Sequence, residues 1–236
     1  MMSMRFVKTA AAGLLAVMLV LPATAAAHAS GAAQAAAVPS MSDTKAQPAM
    51  THESNWSSSK EKFNFAMRKL WIDHTGWTWV YIISAIAGLE DQQQVLGRLL
   101  RNQVDIGNAI KPYYGEEAGK KLTMLLQEHI LLAGKVLEAA KAGNQADLAK
   151  YNKEWYRNAD DIVRFLSAAN PNWNEKQLRD MFYTHLQLIT EQVAARLKKD
   201  WDADIMAVDR NEDHMIHFAD VLSEGIIKQF PKQFQS

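Results

Sequence analysis

The sequence predicts an all-α fold, a six-helix bundle built from three helical hairpins. From about residue 59 onward Leu, Ala, Lys, Glu and Gln dominate, and apolar residues recur at three- and four-residue steps. The alternation of apolar and polar residues that is typical of strands is missing from this part of the sequence. The motif R-N-x-x-[D/H] begins at Arg101, Arg157 and Arg210, which indicates an internal repeat of about 55 residues.

Glycine, proline and asparagine divide the helical part into six segments. The clearest boundary is Asn170-Pro171, because proline cannot continue a helix and Asn174 can cap the next one. Similar breaks occur at 88–91, 112–115, 143–144 and 199–202. The predicted helices are 59–88, 91–112, 116–142, 145–169, 174–199 and 202–229.

The N-terminal segment has the layout of a secretory signal peptide. Arg5 and Lys8 precede an apolar run from Ala10 to Leu21, and small residues follow. We therefore expect residues 1–29 to be a signal peptide that is cleaved after Ala29. The apolar run is shorter than the ~20 residues of a spanning helix. Retention of this segment as a membrane anchor is the alternative.

The amino-acid composition predicts how the rest of the chain divides into domains and which partners it can bind. Residues 30–58 are rich in Ala, Ser, Pro and Gln without a period and are predicted to be a disordered linker, and 59–236 form the helical-bundle domain. The chain has no cysteine, and its 26 basic residues balance 26 acidic ones without a basic cluster. Nucleic acid is therefore not expected as a partner. We expect a secreted or extracytoplasmic protein with no stable membrane span after signal cleavage.

One histidine lies on the first helix of each predicted hairpin. His74, His129 and His185 are each about as far from the turn of their hairpin as the R-N motif that follows. Because an α-helix rises ~1.5 Å per residue, the three histidines and the motifs should share one level of the bundle. His129 and His185 are central on apolar helix faces, and His74 lies on a helix that is apolar nearly all round. Three imidazoles are the predicted ligands of a divalent transition metal such as zinc.

The asparagines of the repeated motif are predicted to border this layer. Asn102, Asn158 and Asn211 fall at the edge of the apolar face, where an amide can bind a small ligand or hydrogen-bond an imidazole. The aspartates point further away. Asp105 and Asp161 are therefore expected to pair with Arg101 and Arg157 on the helix surface.

Three interpretations of the layer stay open: a hydrogen-bonded structural core, a shared metal site, and a site for an organic ligand. A shared metal requires the first, third and fifth helices to surround one axis. A pocket that reaches solvent would favour ligand binding or catalysis, and a filled layer would favour structure. The sequence favours a secreted non-enzymatic protein, and a metal-dependent or histidine-based extracellular enzyme is the alternative.

Two further features have simpler predicted roles. The stretch LWIDHTGWTWVYIIS surrounds His74 with Trp71, Trp77, Trp79 and Tyr81. Aromatic residues at helical spacing favour a place in the core, and a pocket for a sugar or aromatic ligand is the alternative. His214, His217 and Asp220 on the last helix are expected to lie on a solvated face.

Overall fold

The structure is a computed structural model and describes residues 58–235. It contains six long α-helices and one short 3₁₀ helix, Pro231–Phe234. The predicted signal peptide, and all of the predicted linker except Ser58, lie outside the described residues. The six helices are α1 (Ser59–Ala87), α2 (Gln92–Tyr114), α3 (Glu116–Lys141), α4 (Gln145–Ala169), α5 (Glu175–Leu197) and α6 (Trp201–Gln229).

The predicted all-α six-helix bundle is confirmed, with helix ends within two residues of their predicted positions. The end of α2 differs for a physical reason. We predicted that this helix would stop at Pro112, but it continues to Tyr114. Proline in the last turn removes only the hydrogen bond to the carbonyl of Asn108, and the N–H of Gly115 still bonds the carbonyl of Lys111 at 2.9 Å.

Local sequence sets where several helices begin and end. Ser58 and Glu61 form a reciprocal capping box at the start of α1. The side chains of Asn144 and Asn174 accept hydrogen bonds from the first turns of α4 and α5. Gly88 ends α1 with φ at 67°, a left-handed conformation that glycine adopts without strain.

The helices pack as a closed ring. Each helix packs against its neighbours in the chain, and α6 returns to pack against α1. The odd-numbered helices also meet one another, since α1 contacts both α3 and α5. Helices α1, α3 and α5 therefore surround the centre of the bundle, and each even-numbered helix bridges two of them.

Two glycines bring α2 and α3 close together. A Cβ atom on Gly107 would lie 2.6 Å from the carbonyl oxygen of Gly119, and one on Gly119 would lie 2.7 Å from that of Gly107. Larger residues would force the two backbones apart. This contact joins the first hairpin to the second and helps to close the ring.

Within residues 58–235, none of the helices combines the length and the apolar character that a bilayer crossing demands. The internal repeat of about 55 residues stays a prediction. The second and third hairpins share a histidine–asparagine hydrogen bond that the first lacks.

Candidate functional site

The three predicted histidines meet at the centre of the bundle. His74, His129 and His185 are between 2% and 3% exposed. The ring centroids of His74 and His185 are 5.6 Å apart, and those of His129 and His185 are 6.3 Å apart. The odd-numbered helices thus bring together side chains that are far apart in the sequence. The predicted asparagines, Asn102, Asn158 and Asn211, are also buried.

In the second hairpin, both ring nitrogens of the histidine form hydrogen bonds. Trp155 donates its indole N–H to Nε2 of His129 at 3.1 Å, so Nε2 carries no proton. Nδ1 therefore carries the proton and donates it to Oδ1 of Asn158 at 2.8 Å. Nδ2 of Asn158 in turn donates to the carbonyl of Leu125 at 3.1 Å. This chain of hydrogen bonds ties α4 to α3 at one register.

The third hairpin repeats the histidine–asparagine bond with one change. Nδ1 of His185 lies 2.7 Å from Oδ1 of Asn211. In the second hairpin the carbonyl one turn before the histidine, that of Leu125, accepts a hydrogen bond from the asparagine. Here the equivalent carbonyl, that of Met181, lies 2.8 Å from Nε2 of His214 instead. His214 is half-buried, so only part of its side chain lies on the solvated face that we expected. His217 is exposed, as expected.

The first hairpin departs from the predicted pairing. Asn102 donates to the carbonyl of Leu70, one turn before His74, at 3.0 Å. Its Oδ1 accepts from Gln103 at 3.1 Å and not from the histidine. The side chain of Gln103 lies close enough to the imidazole of His74 to raise its pKa slightly against the effect of burial. The contact does not have the geometry of a full hydrogen bond, and Nδ1 of His74 and Oε1 of Gln103 have no such partner among the described residues. The predicted bond between His74 and Asn102 does not form.

Burial keeps all three imidazoles neutral. Desolvation is the main cause, and it lowers the pKa of His129 to about 3 and that of His185 to about 4. The pKa of His74 is also held well below its usual value, by desolvation first and then by the nearby His185 and His129. The asparagine partners act in the opposite direction on His129 and His185, but their effect is smaller.

The layer does not fit a three-histidine zinc centre as it is arranged. Zinc would need one unprotonated nitrogen from each imidazole at about 2.0–2.1 Å. Both nitrogens of His129 are already in hydrogen bonds, to Trp155 and Asn158. Across residues 58–235, no group of three or more histidine and acidic side chains is placed to hold a metal ion.

Two grooves on the surface lie away from the layer. One, of about 740 Å³, runs along α2, α3 and α4 and is lined by Tyr81, Lys135 and Tyr151, among others. The other, of about 400 Å³, borders His214 and His217. None of the six predicted layer residues lines either groove. Neither groove therefore gives a solvent path to the imidazoles.

Of the two surface ion pairs predicted within the R-N motifs, one forms and the other does not. Arg157 pairs with Asp161, as predicted, and also with Glu128 at 2.6 Å. The predicted pair between Arg101 and Asp105 does not form. Such exposed pairs contribute little to stability, so this difference does not affect the layer.

Sequence reasoning missed two members of the layer, Trp155 and Gln103. Trp155 lies one turn before Asn158, where the other two hairpins have Leu99 and Val208. Gln103 directly follows Asn102, where the other copies have Ala159 and Glu212. Comparing the residues around each R-N motif, and not only the motif itself, would have marked both positions as different.

The chain matches no protein-family model, and no curated protein or solved structure is significantly similar to it. The class of protein is thus defined by the fold and the layer: an all-α six-helix bundle with buried histidines and amides at its centre.

Proposed function

We propose that this chain is an exported, non-enzymatic helical-bundle protein, and that its histidine–asparagine layer is a structural polar core. The observation that carries this proposal is the hydrogen-bond chain from Trp155 through His129 and Asn158 to the carbonyl of Leu125. Buried polar groups are costly unless they are paired, so a satisfied chain favours one arrangement of the helices over others. The layer then selects the register in which α3 and α4 pack.

Burial and charge also support a structural role over catalysis. A histidine that acts as a general base must reach the proton that it removes, and works best with a pKa near the working pH. His129 and His185 have pKa values of about 3 and about 4, and all three imidazoles are at most 3% exposed. A metal-dependent or histidine-based enzyme is therefore the weaker alternative.

Binding of a small polar ligand or a metal ion in the layer is the second candidate function, and one observation favours it. Around the first hairpin, Nδ1 of His74, Oε1 of Gln103 and Nε1 of Trp71 are buried and unpaired among residues 58–235. Such atoms usually gain a partner in a folded protein. A small polar ligand or a divalent metal bound beside His74 would supply one.

The structural and the ligand-binding proposals differ in whether a metal ion or small molecule co-purifies with the protein. We expect native mass spectrometry to give the mass of the chain alone and elemental analysis to find no zinc. Chelator should leave Tm unchanged, because no metal stabilises the folded state. A co-purifying metal or small molecule that is lost in His74→Gln, but kept in the exposed control His217→Gln, would contradict the structural proposal.

Export is a separate part of the proposal and has its own measurement. The support is the basic, apolar and small-residue layout of residues 1–29. We expect intact-mass analysis of protein collected outside the cytoplasm to show an N-terminus at or near Ser30. Recovery of the full-length chain only in membrane fractions would show that the segment is an anchor.

A further inference from the structure

The larger of the two surface grooves has the size of a small-molecule site. Helices α2 and α4 both pack against α3, and both begin beside its C-terminal half because neighbouring helices are antiparallel. The groove between them, of about 740 Å³, falls within the roughly 300–1,000 Å³ that such sites occupy. Its base is a face of α3 with Leu131, Lys135 and Glu138, which are three or four residues apart. Helices therefore form the base and both walls of this groove.

A buried tyrosine reaches the groove from the core of the bundle. Tyr81 of α1 is only 7% exposed, yet it is one of the residues that line the groove. Its hydroxyl lies against Gly134 of α3, where a Cβ atom would be 3.0 Å from Oη. Glycine within a helix is destabilising by about 0.5–1 kcal/mol relative to alanine. At this position it leaves room for the hydroxyl, so the packing of α1 on α3 places a polar group at the base of the groove.

Two further polar side chains lie close to this hydroxyl. Burial is the main cause of the raised pKa of Tyr81, the charge of Glu138 adds to it, and a hydrogen bond with Gln92 acts against it. A tyrosine with a raised pKa stays protonated at neutral pH, and its hydroxyl both donates and accepts hydrogen bonds. A hydroxyl from α1, an amide from α2 and a carboxylate from α3 therefore converge in the groove.

The groove carries little net charge. Its charged lining residues are two acids, Glu138 and Asp147, and one lysine, Lys135. The ammonium of Lys135 lies over the ring of Tyr151, with Nζ 5.3 Å from the ring centroid. Within the part of the chain that the structure describes, Glu138 forms no ion pair, so its carboxylate can accept hydrogen bonds from a ligand. Two acids would repel a phosphorylated ligand and the lysine would repel a polycation, so the charges favour a neutral one.

We propose that this groove binds a neutral mono- or disaccharide. This inference goes beyond the role of the buried layer and does not depend on it. The hydroxyls of a sugar donate hydrogen bonds to a carboxylate such as that of Glu138, and they both donate to and accept from amides such as those of Gln92 and Gln93. A sugar ring also has an apolar C–H face, which fits against Leu131, 48% exposed, and the ring of Tyr151. Polar groups beside apolar surface are typical of ligand sites.

Isothermal titration calorimetry of the full chain tests the proposal. The probes are glucose, galactose and N-acetylglucosamine, each also as its β1,4-linked disaccharide. We expect at least one of these sugars to bind with a Kd of about 0.1–1 mM. Because the ligand is neutral, the Kd should stay the same when the salt concentration is raised. Failure of all six probes to bind would overturn the proposal.

A tyrosine substitution locates the binding site. Tyr81→Phe removes only the hydroxyl at the base of the groove, so the Kd should rise about two- to tenfold through the loss of one hydrogen bond. The matched control is Tyr156→Phe, since Tyr156 is a half-buried tyrosine of α4 outside the groove. Circular dichroism checks that both variants keep their helices. Equal Kd values for the two variants would show that the sugar does not bind in this groove.

A carboxylate substitution separates a sugar from a cationic ligand. Glu138→Gln should raise the Kd for the sugar about three- to tenfold, because hydrogen bonds to a charged acceptor are stronger than those to a neutral one. Glu128→Gln is the control, since Glu128 is also on α3 but pairs with Arg157 and lies outside the groove. Spermidine is the competing probe. Binding of spermidine in place of every sugar, with a Kd that rises with salt, would overturn the proposal and assign the groove to cationic amines.

Discussion

Acidification from pH 7 to pH 4 is expected to destabilise the bundle by about 6 kcal/mol through His129 and His185 alone. Their folded-state pKa values are about 3 and about 4, below the ordinary value of 6.5. Between these values the unfolded chain binds protons that the folded chain does not. Each histidine therefore removes about 3 kcal/mol by pH 4. This loss is comparable to the 5–15 kcal/mol by which domains are typically stable.

The direction of this effect is fixed by the sign of the pKa shift. The contribution of each buried neutral histidine is fully present above its unfolded pKa of about 6.5 and declines as the pH falls toward its folded pKa. His74 acts in the same direction, because its pKa is also lowered. The free energy of unfolding should therefore be flat near neutral pH and fall steeply between pH 6.5 and pH 4.

Urea unfolding at a series of pH values measures this slope. His129→Gln removes one titrating group, so its slope below pH 6.5 should be smaller by one proton, about 1.4 kcal/mol per pH unit. Carboxylates contribute equally to the variant and the unmodified protein, so the difference isolates the histidine. His217→Gln, at an exposed position on α6, is the matched control. Equal slopes for His129→Gln and the unmodified protein would show that His129 is not buried in its neutral form.

Asn158→Leu is expected to lower the free energy of unfolding by about 3 kcal/mol at pH 7. Leucine has a similar size but cannot accept the proton of His129 Nδ1, which would be left buried and unpaired. An unsatisfied buried donor costs about 1–3 kcal/mol, and the bond to the carbonyl of Leu125 is lost as well. For a domain of this size, the change corresponds to a fall in Tm of roughly 6–12 °C.

Two asparagines on α2 provide controls for this substitution. Asn108 is exposed, and Asn108→Leu should change stability by less than about 0.5 kcal/mol. Asn102 is as buried as Asn158 but bonds no histidine, and its partner Gln103 also bonds the carbonyl of Leu99. Asn102→Leu should therefore cost less, about 1 kcal/mol. If thermal unfolding shows equal losses for Asn102→Leu and Asn158→Leu, the histidine bond does not stabilise the layer.

Helix spacing was sufficient to predict the outline of the fold. Boundaries such as Asn170-Pro171 and Gly143-Asn144 depend on residues that end or cap helices locally, so they could be read without tertiary information. The central positions of His129 and His185 followed from the apolar residues of their own helices. The continuation of α2 through Pro112 could not be read in this way, because it depends on how a last turn tolerates one lost bond.

The partners of the polar side chains were less predictable than their positions. A 3.6-residue period gives the direction of Asn102 and His74, but not whether their polar atoms come within hydrogen-bonding distance. In the first hairpin Gln103 occupies the oxygen of Asn102, while in the second Trp155 adds a donor that the other two lack. Such differences arise from side chains on facing helices, and a single helix pattern carries no information about them.

The sequence by itself determined the six helices, the burial of His129 and His185, and the common level of the layer, because each depends on local capping or on the period of one helix. Only the tertiary structure decided that α6 closes on α1 and that α1, α3 and α5 meet around one centre. It also decided that one side of α1 stays exposed at Ile72 and Trp79. The physical reason is that ring closure depends on contacts between residues distant in the chain, such as Arg68 and Asp220.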